Sequence, residues 1–445
     1  MNNNLTMGPD EKMVRNISEQ KNEDEWILKK RLEGLHVFKQ KSLPNWGADL
    51  TELYLDDLLY YLKPRSSSQR SWEEVPEEIK ETFDRLGIPE AEKKYLAGVG
   101  AQYESEMVYQ STQKYLTDKG VIFTDPETGL KEYPDIFAPY FGSVVSVWNN
   151  KFVALNTAFF SGGSFIYIPK GVKVDLPLQT YFRMNSERMG QFERTLIIAE
   201  DESFLHYVEG CTAPTYNTSS LHSGVVEVVV KSGAEVAYTT IQNWSNNVYN
   251  LTTKRADVFQ EGVMRWIDGN IGSRVTMKYP AINLREKGAT GEVHSFTSAG
   301  KGQHQDVGGK IIHSAPHTTS RVISKSISQN GGRAGYRGFL YIAPEAHSVK
   351  SNTICDALLL DQESASDTYP IMDINNSQVK VEHEASVSRI NEEQVFYLQS
   401  RGIPEDEARG MLVNGFLEPI VKELPMEYAV ELNRLIQMEM EGSVG

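Results

Sequence analysis

The sequence predicts a mainly β protein with an α-helical region at each end. Between about Gly120 and Ile390, β-branched residues and glycines dominate, and apolar runs of five or six residues have the length of strands. Short polar turns separate several runs, which leaves no room for the helical crossovers of a wound α/β sheet. On either side of this stretch, apolar residues recur at the spacing of amphipathic helices.

The N-terminal region, residues 1–119, is predicted to be helical after a polar, flexible start. Apolar residues recur at helical spacing over residues 25–61. A second helix is predicted over residues 76–87, because proline favours the first helical turn and glycine the end of a helix. Pro89 starts a third helix by the same rule.

The central region, residues 120–390, is predicted to be the β core. Its clearest strand-like runs are residues 164–168, 195–199, 203–208, 225–230, 235–240 and 338–342. This texture fits a sandwich, a barrel or a β-solenoid. A recurrence of strand, polar turn and strand near residues 201, 233 and 345 favours the solenoid, although the sequence shows no clean period.

The C-terminal region, residues 391–445, returns to helix. Asn391 is the predicted N-cap of a first helix, and Pro404 and Pro425 begin the next two. These helices are short and amphipathic. Their pattern fits two arrangements, packing on the β core or presenting a face to a partner.

Composition and charge exclude several classes of protein. The chain has 445 residues and a net charge of −15, which argues against binding to nucleic acid or to an anionic membrane. Residues 1–12 hold no apolar signal segment, and no apolar run approaches the about 18 residues of a membrane span. We therefore expect a cytoplasmic protein whose thiols stay reduced.

The motifs that are absent narrow the chemistry further. The only cysteines, Cys211 and Cys355, are too far apart for a CxxC redox pair and too few for a four-cysteine zinc site. The sequence has no GxxxxGK[ST] phosphate loop, which argues against nucleotide hydrolysis by this chain. It also lacks the HExxH and GxSxG motifs of metalloproteases and serine hydrolases.

Cys211 is the first candidate for chemistry. It lies in the segment VEGCTAP, at the predicted exit of a strand and ahead of a proline turn. A lone cysteine is more often a small buried apolar residue than a nucleophile. His206 and Glu209 lie close enough in sequence to tune the thiol, but the alternation of side chains along a strand puts both in question.

Cys355 is the second candidate, because the segment VEHEA follows it at residues 381–385. Thiolate, imidazole and carboxylate are ligands that iron and zinc take. A regular strand places Glu382 and Glu384 on one face and His383 on the other, so all three reach one metal only if the strand is bulged. The alternative is a surface charge pair beside one core or interface histidine.

A set of polar and aromatic residues in or beside strand-like segments is the third candidate. Its members are Arg183, Asn185, Gln242, Trp244 and Lys254. Buried polar groups need partners. A solenoid lined by these side chains would offer a passage to a small polar species.

Several segments together carry a family resemblance. They are residues 191–195 (QFERT), 208–214 (VEGCTAP), 241–244 (IQNW), 278–280 (KYP), 388–390 (SRI), 399–403 (QSRGI) and 413–416 (VNGF). From about Tyr95 to Gly445 the chain resembles the SufB family, the scaffold subunits of the SUF iron–sulfur cluster assembly system. The related SufD family shares the fold and the helical tail but is not expected to carry the GCTAP cysteine or the EHEA segment, which favours SufB.

The resemblance implies a right-handed parallel β-helix core between helical regions. It also implies a complex with SufD, or with a second SufB, and with two copies of the ATPase SufC, on which residues 391–445 would dock. The chain itself would be a non-catalytic scaffold for a transient, nascent iron–sulfur cluster. The cysteine desulfurase SufS, with SufE or SufU, would donate sulfur, and apo-proteins or carriers would accept the cluster. Whether a reduced flavin (FADH2) binds, and whether the cluster is [2Fe–2S] or [4Fe–4S], stays open.

Family roles carried onto matching positions make predictions for named residues. They are a persulfide acceptor at Cys211, a sulfur path along Arg183, Asn185, Gln242, Trp244 and Lys254, and a cluster site at Cys355, Glu382, His383 and Glu384. A sulfur acceptor must be a thiolate, so we expect Cys211 to be accessible and to have a depressed pKa. Two cysteines cannot complete a four-cysteine cluster site, so other side chains and a partner chain would supply the remaining ligands.

Two other functions remain open from the residues alone. The chain could be a structural solenoid subunit that only positions an ATPase. It could also be a metal-dependent solenoid enzyme that acts on a small acid or sugar. The two cysteines separate these functions from the scaffold, because only the scaffold requires both thiols.

Overall fold

The computed structural model describes residues 8–62, 96–214 and 216–422. Within these residues, the prediction of a mainly β protein with a solenoid core and helices at both ends is confirmed. The helices predicted over residues 76–87, from Pro89 and from Pro425 lie outside the described residues.

The N-terminal region contains helices α1 (Glu11–Lys21) and α2 (Glu25–Gln40). The Asp10 carboxylate accepts a hydrogen bond from the Met13 amide at 2.7 Å, which satisfies one of the amides that a helix start leaves without a partner. The helical spacing predicted up to residue 61 overestimates the helix. After α2 the chain forms only a 3₁₀ turn at Leu55–Asp57, because Pro44 and the left-handed Gly47 (φ 84°) interrupt it.

Strands follow from residue 98 onward. They are β1 (Gly98–Tyr103), β2 (Glu106–Thr112), β3 (Ile122–Thr124), β4 (Phe165–Ile168), β5 (Leu178–Arg183), β6 (Gly190–Gln191), β7 (Arg194–Ala199), β8 (Phe204–Thr212), β9 (Ser220–His222), β10 (Val225–Val230), β11 (Glu235–Trp244), β12 (Val248–Asn250), β13 (Thr253–Val258), β14 (Val263–Gly272), β15 (Val275–Lys278), β16 (Ala281–Leu284), β17 (Thr290–Ala299), β18 (His304–His313), β19 (Thr319–Ser328), β20 (Arg333–Ile342), β21 (Lys350–Leu359), β22 (Ala365–Ile374) and β23 (Lys380–Arg389).

Two sheets wind these strands into a parallel solenoid. The first sheet has the order β2-β1-β5-β8-β11-β14-β17-β19-β21-β23, and all its pairs are parallel except the β1–β2 pair at its N-terminal edge. The second sheet runs through β4-β7-β10-β13-β16-β18 and continues to β20 and β22. Successive coils add one strand to the first sheet and either two short strands or one long strand to the second. The two sheets enclose an interior that contains the largest apolar cluster of the described residues.

The solenoid repeat is irregular in length. Paired residues in the first sheet are separated by 27 positions at Asn270–Thr297 and by 31 at Cys211–Gln242. Coils of unequal length keep their strands in register but give no fixed spacing along the chain. This irregularity explains why the sequence shows strands clearly and a period poorly.

Four helices separate β2 from β4, at the boundary between the predicted regions. They are α3 (Lys114–Thr117), α4 (Pro126–Glu132), α5 (Pro134–Phe137) and α6 (Lys151–Phe159). The structure therefore differs from the boundary set at residue 120, with strands β1 and β2 before it and helices after it. In α6 all residues from Phe152 to Phe159 are buried, so it lacks the polar face that reveals a surface helix in sequence.

One buried carboxylate fastens this helical segment to the solenoid. Glu227, in β10, accepts hydrogen bonds from the Val144 and Val145 amides at 3.0 and 2.8 Å. It also pairs with Arg194 at 2.6 Å, and both side chains are at most 1% exposed. The glutamate that interrupts the apolar run Val225–Val230 is therefore a structural anchor.

The C-terminal region contains α7 (Glu392–Ser400) and α8 (Glu405–Val421). The Asn391 cap is confirmed, because its side chain accepts a hydrogen bond from the Glu393 amide at 2.9 Å. Helix α8 packs on the outer face of the first sheet, where Val413 and Leu417 join its apolar cluster. The packing alternative therefore holds for α8, while α7 leaves Phe396 exposed and its contact with a partner stays a prediction.

The two ends of the solenoid differ. The N-terminal end is covered by the β1–β2 pair and the helices. At the C-terminal end, in the described part of the chain, β22 pairs only with β20 and β23 only with β21, which leaves an open coil. Its surface includes the exposed apolar residues Ile371, Met372 and Val387. Among the described residues no helix combines the length and apolarity that a membrane crossing requires.

Candidate functional site

Side chains that point into the solenoid stack in columns, because parallel strands in register place equivalent residues one above another. One polar column consists of Glu209, Thr240, Asp268, Ser295, Ser324 and Cys355. Each member is at most 4% exposed. Cys211 lies two residues beyond Glu209 on the same strand face. Five strand steps of about 4.8 Å place the two cysteines about 24 Å apart along the solenoid.

Cys211 is fully buried beside a carboxylate. Its Sγ donates to Oε1 of Glu209 at 3.5 Å and lies 3.9 Å from Nε2 of Gln242. The hydroxyl of Tyr238 donates to the other carboxylate oxygen of Glu209. His206 lies on the opposite strand face, where it pairs with Thr239. Of the two residues that the sequence left in question, only Glu209 faces the thiol.

The prediction that Cys211 is accessible and has a depressed pKa is wrong for this conformation. Burial raises the pKa of Cys211 well above its ordinary value, and the nearby negative charge of Glu209 raises it further. The charge of Lys254 acts in the opposite direction but is outweighed. Cys211 is therefore a neutral, enclosed thiol that needs a proton acceptor before it can act as a nucleophile.

Two buried lysines share one carboxylate beside Cys211. Nζ of Lys254 and of Lys278 lie 3.2 and 3.0 Å from Oδ1 of Asp268. Lys278 also donates to Oε1 of Gln242 at 3.1 Å, which links the ion cluster to the amide that faces Cys211. Burial lowers the pKa of Lys278 to about 8. Burial opposes ionisation of Asp268 too, yet the two lysine charges hold its pKa below the ordinary value.

Several buried polar groups between the cysteines have no hydrogen-bond partner among the described residues. The indole N–H of Trp244 is one, although its ring contacts the His222 ring at 4.6 Å. The others include side-chain oxygens of Asn270, Thr297 and Gln305. Unpaired buried polar groups cost about 1–3 kcal/mol each. Similar groups also occur elsewhere among the described residues, so those between the cysteines show that this part of the interior is polar.

Arg183 and Asn185 do not lie between the two cysteines. Arg183 ends β5, which borders β8 on the side away from β11 and β21. Its Nη1 donates to Oγ1 of Thr212 at 3.1 Å, and Nδ2 of Asn185 donates to the Tyr103 hydroxyl at 2.6 Å. The prediction that both line a path toward Cys355 is corrected by the strand order. They flank Cys211 on its far side, while Gln242, Trp244 and Lys254 lie toward Cys355.

Cys355 lies just behind the open end of the solenoid. Its Sγ is 3.8 Å from Nε2 of His383, and it shares a hydrogen bond with the Tyr336 hydroxyl on the facing wall. A small cleft of about 20 Å³ at this end is lined by His383 and Tyr336. Burial raises the pKa of Cys355 to about 12. A thiol and an imidazole therefore meet at the mouth of the interior column.

Glu382 and Glu384 point away from this thiol. Strand β23 pairs with β21 without a bulge, so alternation turns His383 inward and both glutamates outward. Glu382 pairs with Lys380 at 2.9 Å and Asn352 at 3.2 Å. Among the described residues, no group of three histidine, cysteine or acidic side chains could hold a metal ion. The predicted four-residue site is thus corrected to a Cys355–His383 pair.

Sequence reasoning missed four residues of this interior. These residues contact the predicted ones, but no sequence motif assigns them a role as ligand or base. They are Tyr238, Asp268, Lys278 and Tyr336. Tyr238 and Asp268 could be found by register, because their strands stack directly on β8 and β11. Lys278 and Tyr336 reach the candidates from β15 and β20 in the second sheet. Only the paired strands reveal that relation, because coil lengths vary.

Comparison with known proteins agrees with this architecture. Residues 16–180 match the family described as SufBD protein N-terminal region, and residues 182–416 match the SUF system FeS cluster assembly, SufBD core domain. Iron–sulfur cluster assembly SufBD family proteins of Staphylococcus aureus strain USA300 and Staphylococcus haemolyticus strain JCSC1435 are 59% identical over 438 residues, which cover 98% of this chain and 94% of each relative. These matches name SufB and SufD together. The chain belongs to the SufBD family of SUF iron–sulfur cluster assembly proteins.

Proposed function

We propose that this chain is a SufB-type scaffold that receives persulfide sulfur at Cys211 and builds a nascent cluster at Cys355. The observation that carries the proposal is the buried polar column that leads from Glu209, beside Cys211, to Cys355. A structural subunit would have no need of a polar interior with unpaired groups, which is costly in a core. Movement of sulfur between the thiols at the two ends of the column would explain why the interior is polar.

The SufB assignment rests on the pairing of both cysteines with suitable neighbours. Cys211 has a carboxylate within hydrogen-bond distance, and Cys355 has the imidazole of His383. The column between them is packed rather than hollow, since the Ser295 and Ser324 hydroxyls are 3.0 Å apart. Sulfur transit therefore requires small side-chain movements along Gln242, Trp244 and Lys254, with hydroxyls and amides as successive partners.

The cluster itself is cargo, and this chain supplies only part of its ligand set. Cys355 and His383 offer one sulfur and one nitrogen at the open end of the solenoid. Further ligands would come from a partner subunit, SufD or a second SufB, seated on the exposed edges of β22 and β23. An incomplete site shared between chains favours release of the product to apo-proteins or carriers.

The exposed face of α7 is the proposed docking surface for the ATPase SufC. Phe396 and Tyr397 are 71% and 55% exposed on this helix, while α8 fixes the region to the solenoid. Exposed aromatic side chains are typical of interface anchors. ATP-driven movement at α7 would then reach the first sheet through α8.

Anaerobic reconstitution with iron and inorganic sulfide tests the assignment of the two thiols. We expect wild type and Cys211→Ala to form a visible, coloured cluster, because free sulfide bypasses the sulfur acceptor. Cys355→Ala should lose the cluster absorbance. In cells, Cys211→Ser and Cys355→Ser should both abolish maturation of a reporter iron–sulfur enzyme. An unchanged cluster in Cys355→Ala would reject the ligand role, and full maturation by both serine variants would favour a purely structural subunit.

A further inference from the structure

We propose that Glu209 is the base that takes the thiol proton of Cys211 when sulfur arrives. The inference rests on the proposed role of Cys211 as sulfur acceptor and adds a catalytic residue to it. Glu209 touches the reacting atom directly, with Oε1 at 3.5 Å from Sγ. The two residues occupy positions 209 and 211 of one strand, so both side chains point into the interior.

The carboxylate is held in place for this role. The Tyr238 hydroxyl donates to Oε2 of Glu209, which leaves Oε1 directed at the thiol. Glu209 is 1% exposed and Cys211 is fully buried, so no bulk water competes for the proton. A base within hydrogen-bond reach, oriented by a third group, is the arrangement that activates a nucleophile.

Other titratable groups around the pair are engaged elsewhere. The charged or titratable neighbours of Glu209 and Cys211 are Tyr207, Tyr238, Glu193, His222, Lys254, Lys278 and Asp268. His222 is bonded to Glu193 and to Asn250, and the lysines to Asp268. The lysines supply positive charge that favours an anionic sulfur nearby, but they make no hydrogen bond to Sγ among the described residues. Glu209 alone combines basicity with contact.

The proposed step balances without an external redox partner. The Cys211 proton moves to Oε1 of Glu209, and the thiolate attacks the terminal sulfur of a donor hydropersulfide. A bond forms between Sγ and that sulfur while the S–S bond of the donor breaks. The donor leaves as a thiolate and takes the proton back from Glu209, which regenerates the carboxylate. One sulfur atom has moved, and no electrons are gained or lost overall.

The test uses the Cys355→Ala chain, in which Cys211 is the one remaining thiol. Glutathione hydropersulfide serves as donor, and mass spectrometry follows the gain of one sulfur on Cys211 across a pH series. We expect Glu209→Gln to slow loading at neutral pH by about a hundredfold, the range typical of a lost general base. Its rate should then keep rising with pH, because hydroxide must remove the proton. Glu193→Gln, a similarly buried carboxylate on His222, is the matched control. Because the charge of Glu193 raises the pKa of Cys211, this variant should load at least as fast as the parent.

A second variant keeps the inference falsifiable if Glu209→Gln folds poorly. Tyr238→Phe removes the hydrogen bond that holds the carboxylate with Oε1 directed at the thiol, so sulfur loading at neutral pH should slow. A parent-like rate and pH profile in Glu209→Gln, or a parent-like loading rate in folded Tyr238→Phe, would overturn the role of Glu209. Sulfur gained by the chain with Cys211→Ser, or none gained by the parent, would instead contradict the proposed function.

Discussion

Cys355 holds its proton because it is enclosed, even though it lies one layer behind an open end. Burial raises its pKa to about 12, and the Tyr336 hydrogen bond offsets only part of that effect. A metal binds to the thiolate and not to the protonated thiol, so binding at Cys355 requires the loss of its proton. If Cys355 ligates iron as proposed, iron binding beside His383 and deprotonation of Cys355 would be coupled.

The raised pKa of Cys355 predicts a pH-dependent loss of stability. The folded-state pKa lies above the unfolded one, so stability is fully present below about pH 9 and is lost as pH rises toward 12. Between pH 7 and pH 10, wild type should lose about 1.4 kcal/mol more unfolding free energy than Cys355→Ala. Urea titrations of both proteins at the two pH values measure this difference. Equal losses in the two proteins would show that the thiol is not held neutral.

At the residue scale, the sequence predicts side-chain direction well wherever strand alternation alone decides it. Alternation is a local property, and it correctly separates His383 from Glu382 and Glu384. The pKa of Cys211 is not predictable in this way, because burial and the charge of Glu209 depend on the enclosing coils. A thiol's sequence neighbours do not reveal whether water reaches it.

At the element scale, one buried ion pair is a main polar attachment of the helical segment to the solenoid. The Glu227 carboxylate accepts hydrogen bonds from three backbone amides and also pairs with Arg194. The amides are those of Gly142, Val144 and Val145. Removing one partner of such a pair leaves buried charge and unpaired amides. The segment that holds α4 to α6 would then lose its attachment to β10.

Glu227→Ala should therefore destabilise the protein by about 3–5 kcal/mol, the range for breaking a buried pair. Glu235→Ala is the matched control, because its carboxylate pairs with Arg265 at 35% side-chain exposure and should cost about 1 kcal/mol or less. Chemical unfolding followed by circular dichroism measures both. Similar losses in the two variants would refute the anchoring role of Glu227.

Strands and helices could be predicted from the sequence where the residues of the segment itself carry the signal. The run Val225–Val230 has the same bounds in the structure, and the Asn391 cap is where its sequence places it. Helix α6 was missed because it is buried all round and so lacks periodicity. The strand-like runs alone did not decide between a solenoid, a sandwich and a barrel. Paired residues lie about 30 positions apart, and this spacing varies from coil to coil.

At the scale of the whole molecule, the solenoid separates two buried thiols and connects them through its interior. One thiol lies deep in the coils and the other at the mouth, with a polar column of hydroxyl and carboxylate groups between them. The coil at the C-terminal end is open, and α8 links the exposed α7 face to the outside of the same sheet. Under the proposed function, this fold would place sulfur delivery, transit and cluster assembly along one axis.

Tracing labelled sulfur from Cys211 to Cys355 tests this account most directly. Wild type is loaded with isotopically labelled persulfide sulfur, and the two cysteine peptides are then separated and analysed by mass spectrometry. We predict label at both cysteines in wild type, at neither in Cys211→Ser, and at Cys211 alone in Ser295→Phe, where a bulky ring blocks the column. Label that reaches Cys355 equally well in Cys211→Ser and Ser295→Phe would contradict an interior route between the two thiols.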